Sequence, residues 1–147
     1  MTSWTKRIGN CHRIVKSVLG NTVKPDMVFL NLSLEEFPWR ESDLPKDLVE
    51  LSRVHPEFKI HWVHGPNVKP WKKVFPILDY LADDDLIILI DDDMNIRRDL
   101  VETRVREFDQ YNGQFAISGG ACFPRSHLNV PISDYALYNT ICPTSIL

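Results

Sequence analysis

Cysteine is scarce in this chain, and the three present, Cys11, Cys122 and Cys142, are odd in number and far apart. That spacing argues against a disulfide framework and supplies no paired ligands for a zinc site. The thiols are expected as small buried hydrophobes in a reducing compartment, so a cytoplasmic location is the default expectation. No apolar run approaches the roughly 18–20 residues that cross a bilayer, so no transmembrane segment is expected. Met1 is followed by polar residues and not by the apolar stretch of a signal peptide. Positive charge is not in excess either. A net charge of −3 argues against a general affinity for nucleic acid. Internal repeats and low-complexity tracts are absent as well.

What remains is ordinary globular material. The chain has 147 residues, 44% hydrophobic and 25% charged, which suits one domain spanning residues 1–147 with one core. Its focus is Leu86-Ile-Ile-Leu-Ile90, followed at once by Asp91-Asp92-Asp93. The apolar run reads as a buried strand of a parallel sheet. Carboxylates at the end of a buried strand are costly unless something compensates them. In open α/β sheets the carboxyl ends of the strands are where ligands bind.

The rest of the chain alternates between two periods. Ile8, Cys11, Ile14, Val15, Val18 and Leu19 form one helical stripe, with Gly20-Asn21 as its stop. Met27 to Leu32 and Phe58 to Val63 read as strands. Lys46 to Arg53 reads as a short helix, opened by Pro45, with Asp43 as a cap. Trp71 to Leu81 has helical spacing, kinked or restarted at Pro76. Asp99 to Tyr111 is a further helix, and Phe115 to Ser118 a short strand running into Gly119-Gly120. This alternation predicts a three-layer α/β/α sandwich with a mainly parallel sheet. The first helix lacks most of a preceding strand, and no regular period follows Pro124. The domain is therefore expected to be incomplete at its N- and C-termini.

Asp91 and Asp93 are two apart, so an extended backbone aims both to one side and Asp92 to the other. Converging carboxylates repel, and a hard cation such as Mg²⁺ or Mn²⁺ relieves that repulsion. A solvated acidic loop is the plain alternative. Asp83-Asp84-Asp85 precedes the strand, at the far end of the sheet, and reads as a solvated turn. Lys69, Lys72 and Lys73 flank Pro70 and Trp71 at a helix start. They can reach an anionic ligand or simply face water. Gly119-Gly120 allows close backbone approach to a ligand, or makes a turn. His61 and His64 straddle a strand end without partner ligands, so metal binding there is disfavoured. Arg125 and His127 can meet substrate or sit in solvent. Asp134 is the only acid after Gly120 and is the candidate general base.

Several segments together resemble one family. The run LIILIDDDMNIRRDLVE resembles the segment of GT-A fold glycosyltransferases that carries the Asp-any-Asp motif. MTSWTKRIGNCHRIVKSVLGNTVKPDMVFLNLS looks like the first β-α-β unit of family-2-like members. VKPWKKVFPIL resembles their lysine-containing helix, and FAISGG the strand leading to the donor sugar. The resemblance covers about residues 1 to 123. It implies a nucleotide-sugar donor, usually a UDP-sugar, with Mn²⁺ or Mg²⁺, and a saccharide or lipid-linked acceptor. By similarity, Asp91 lies near the ribose and Asp93 ligates the metal, with Asp92 beside the donor. Thr2, Ser3 and Arg7 lie near the nucleotide, Lys72 or Lys73 line its pocket, and Gly119-Gly120 face the donor. Such enzymes often build surface polysaccharides, which would put the chain in the cytoplasm or peripherally at the membrane. Two other readings stay open. One is a truncated nucleotide-binding remnant, and the other is a receiver-like domain phosphorylated within Asp91 to Asp93.

Overall fold

The computed structural model describes residues 1–65, 67, 69–110 and 121–128. It is a mixed α/β structure. A helix α1 (Cys11–Leu19) follows a 3-10 turn at Ile8–Asn10. Its stripe works as the spacing predicts: Ile8, Cys11, Val15, Val18 and Leu19 are all buried. The stop at Gly20-Asn21 is made by a side chain. Gly20 has φ −83°, not the left-handed cap expected of glycine there. Asn21 is buried, donates from Nδ2 to the Ser17 carbonyl at 2.8 Å, and accepts the Val101 amide on Oδ1 at 3.0 Å. One side chain thus closes α1 and caps the start of α3 (Leu100–Gln110).

Strand β1 (Val28–Ser33) pairs in parallel with β2 (Phe58–Val63), from Val28 opposite Phe58 to Ser33 opposite Val63. Helix α2 (Lys46–Val54) lies in the crossover. Asp43 does not cap it. Its carboxylate instead accepts the Trp39 amide at 2.7 Å and closes the preceding 3-10 turn. On the other side of β1, Thr2 forms a parallel bridge with Asn31. Met1–Ser3 thus runs beside β1 on the side opposite β2, and β1 is flanked on both sides at Asn31. Leu30, Asn31, Leu32 and Ser33 are accordingly all fully buried. These elements share one core with Phe37, Leu48, Phe58, Ile90 and Leu100.

Two expectations about the second half need correction. The helix from Trp71 to Leu81 is two 3-10 segments, Lys69–Lys73 and Phe75–Tyr80. Pro76 has no N–H for a bond to the Lys72 carbonyl and stands in the first turn of the second segment, so the restart expected there is present and only the α-helical winding is not. The stacked rings of Trp71 and Phe75, 5.1 Å apart, hold the break together. Strand β3 is Leu86–Ile88, shorter than the apolar run, and its partner is β4 (Cys122–Pro124), antiparallel. An apolar run reports burial but not pairing direction, and β4 is too short to show a period. Val74, Phe75, Leu78, Ile87 and Phe123 make a second core here. The turn at Asp83-Asp84-Asp85 is exposed, as expected.

Candidate functional site

Beyond Ile88 the backbone leaves β3, and it turns at Asp92-Asp93. The three aspartates still alternate in exposure, as the expected spacing has it. Asp92 points inward, its side chain only 2% exposed, while Asp91 and Asp93 are 49% and 62% exposed.

A buried carboxylate must be hydrogen-bonded or paired. The partners of Asp92 come from the opposite end of the sequence. Ser3 Oγ donates to Asp92 Oδ2 at 2.5 Å, and the Arg7 guanidinium lies 3.0 Å from Asp92 Oδ1. Arg7 also donates to Asp93 Oδ2 at 2.6 Å. One arginine thus clamps two consecutive acids in forked geometry. Lys73 closes the other side through an ion pair between its Nζ and Asp91 Oδ1. Burial pulls the Lys73 pKa below its usual value. The charges of Asp92 and Asp93 counter part of that shift, and Arg7 adds to it.

Other expected residues have different work. Thr2 Oγ1 donates to the Asn31 carbonyl at 2.6 Å and fastens the short N-terminal strand. Lys72 is buried in an ion pair with Glu36, so it does not join Lys73 beside the acids. The Arg125 guanidinium donates to the Leu78 and Leu128 carbonyls at 3.1 and 2.9 Å and ties β4 to the 3-10 segment. Gly119, Gly120 and Asp134 lie outside the described residues.

Sequence reasoning overlooked Asn31. It is fully buried on an interior strand, donates to the Lys73 carbonyl at 3.2 Å, and meets His61 Nδ1 through Oδ1 at 3.1 Å. It anchors the backbone from which Lys73 reaches Asp91. The polar Asn31 inside Val28-Phe-Leu-Asn-Leu-Ser33 was the available signal, since an interior strand admits a polar residue only with partners.

Among the described residues no group of three or more His, Cys, Asp and Glu side chains is arranged to hold a metal ion. The carboxylates of Asp91 and Asp93 are hard-cation ligands by their chemistry and are partly exposed, and in this structure each is engaged by a basic side chain, Lys73 and Arg7 respectively. No helix among the described residues is long and apolar enough to cross a membrane. Compared with known proteins, the chain matches no family model, no curated protein and no solved structure.

Proposed function

We propose that this chain is a nucleotide-sugar-binding domain of the GT-A type, a three-layer α/β/α sandwich that transfers a sugar to an acceptor hydroxyl. The observation that carries the proposal is the convergence of Ser3, Arg7 and Lys73 on Asp91-Asp92-Asp93 at the end of β3. Asp92 is the internal anchor. Held by Ser3, it leaves Asp91 and Asp93 outward on either side. Those two would hold Mn²⁺ or Mg²⁺, which supplies neutralisation of the charge on a departing diphosphate. Arg7 and Lys73 are cations that can exchange a carboxylate for a phosphate oxygen, Arg7 with two parallel bonds. The donor in this reading is a UDP-sugar and the acceptor a saccharide or a lipid-linked one. Rate comes from positioning and from charge stabilisation.

Calorimetry with Mn²⁺ and UDP tests the binding step, and hydrolysis of a panel of nucleotide sugars tests the chemistry. Asp93→Ala is expected to abolish metal-dependent turnover with little effect on folding. Absence of heat from well-folded protein with both ligands present would remove the proposal. A second reading, a remnant that binds nucleotide without turnover, is favoured by the way Arg7 and Lys73 already neutralise the acids. Heat without hydrolysis selects it.

A further inference from the structure

The segment between β1 and α2 carries Trp39, which at 75% is the most exposed large apolar side chain among the described residues. Its backbone is nevertheless held firmly. The Trp39 amide donates to Asp43 Oδ2 at 2.7 Å, its carbonyl accepts the Ser42 amide at 3.2 Å, and the Arg40 amide donates to the Phe37 carbonyl at 3.1 Å. Phe37, just before it, is buried at the end of β1, where its amide meets the Ser33 carbonyl at 3.0 Å. Arg40 has φ +54°, a left-handed conformation that is costly for a residue with a Cβ. The chain thus accepts local strain to hold an indole in water.

Trp39 stands on the same rim as the acids. Thr2 bridges Asn31 in parallel. Ser3, which holds Asp92, and Ser33, from which the segment departs, therefore lie at the same end of neighbouring strands. Glu36 pairs with Lys72, the chain neighbour of the Lys73 that pairs with Asp91. Glu41 accepts from Trp62 Nε1 at 3.2 Å, near the end of β2. The segment is tied on one side to the lysine pair beside the acids and on the other to β2.

The surroundings of the indole select a ligand chemistry. A pyranose has an apolar C–H face, and its hydroxyls need donors and acceptors. An exposed aromatic face with a polar fringe matches both needs. Arg40, Glu41 and Ser42 are exposed next to Trp39 and supply that fringe. A protein partner would ask for further apolar groups around the anchor to exclude water. Here Glu35, Arg40 and Glu41 are exposed and charged. Acids outnumber bases from Glu35 to Asp43, which disfavours an anionic lipid surface.

We infer that Trp39 is the platform of a saccharide-binding site, on which an uncharged pyranose stacks while Arg40, Glu41 and Ser42 meet its hydroxyls. As the seat of the acceptor it rests on the transfer reading; as a saccharide site it does not.

The test is ¹⁵N-indole NMR of the 147-residue chain without Mn²⁺ or UDP, which follows the Trp39 ring apart from Trp4, Trp62 and Trp71. The probes are neutral tetrasaccharides of glucose, galactose, mannose and N-acetylglucosamine. At least one is expected to shift the Trp39 signal saturably. By calorimetry, Trp39→Ala should weaken that saccharide about fivefold to tenfold, the scale of one aromatic contact, and Trp39→Phe should recover part of the loss. No shift at Trp39 with any probe, or equal affinity in Trp39→Ala, would overturn the inference. A shift at Trp39 caused only by phosphatidylglycerol vesicles, or only by raising protein concentration, would also overturn it, in favour of a lipid surface or a second copy. Saccharide binding without heat from Mn²⁺ and UDP would remove the transfer reading and keep the site. Heat from Mn²⁺ and UDP without saccharide binding would remove the site and keep that reading.

Discussion

Replacing Arg7 with alanine strips the guanidinium from two carboxylates that differ chiefly in exposure. Asp92 is 2% exposed and Asp93 is 62% exposed, yet both lie within 3.0 Å of the same side chain. An exposed ion pair contributes about 0.2–1 kcal/mol. A fully buried pair broken by removing one partner costs roughly 3–5 kcal/mol, because a charge is left without compensation. Arg7 is itself 48% exposed, and Ser3 still donates to Asp92, so water and the hydroxyl recover part of that loss. The Arg7–Asp92 coupling should therefore be about 2 kcal/mol, and the Arg7–Asp93 coupling under about 1 kcal/mol. The assay is a pair of double-mutant cycles by urea unfolding, Arg7→Ala with Asp92→Asn and Arg7→Ala with Asp93→Asn. For a chain of this size the larger coupling corresponds to about 4–8 °C in Tm. Equal couplings, or a larger one at Asp93, would refute the claim that Asp92 is the internal anchor.

Three further outcomes follow from the same contacts. Asn21→Ala removes the side chain that joins the end of α1 to the start of α3, and should cost about 1–3 kcal/mol by urea unfolding; Asn21→Asp should keep the bond from the Val101 amide and lose less. Burial, with a smaller contribution from the charge of His64, pulls the His61 pKa below its usual value. Its folded form thus binds protons less readily than its unfolded form, so its contribution to stability is intact above about pH 6.5 and falls as pH drops below that. His61→Gln should flatten the stability profile in that window, and an unchanged profile would show that another group governs it. Burial pushes the Cys122 thiol up to about 11. At pH 8 it should resist iodoacetamide in the native protein and react on unfolding, which peptide mapping by mass spectrometry reads directly.

Local pattern settled most of the first half. The stripe from Ile8 to Leu19 became α1, and Phe58 to Val63 became β2 with the same limits. Lys46–Val54 and Leu100–Gln110 lie where helical spacing put them. Each of these carries enough residues for its period to declare which face is buried. The position of the acids at the end of the apolar run was equally legible, because composition changes there within one residue. In the segment from Lys69 to Tyr80 the restart at Pro76 was legible and the 3-10 winding was not, since its apolar spacing is equally compatible with an α-helix.

The sequence by itself determined where the elements and the acids lie, since burial and charge are properties of single residues and short periods. Only the tertiary structure decided which partners they have. Among the described residues β3 takes β4 as an antiparallel partner, Lys72 takes Glu36 while Lys73 takes Asp91, and Asp92 rather than its neighbours turns inward to Ser3 and Arg7. The physical reason is that a hydrogen bond or an ion pair needs two groups in the same place. Chain segments more than eighty residues apart, as Ser3 and Asp92 are, meet only once the whole backbone has folded.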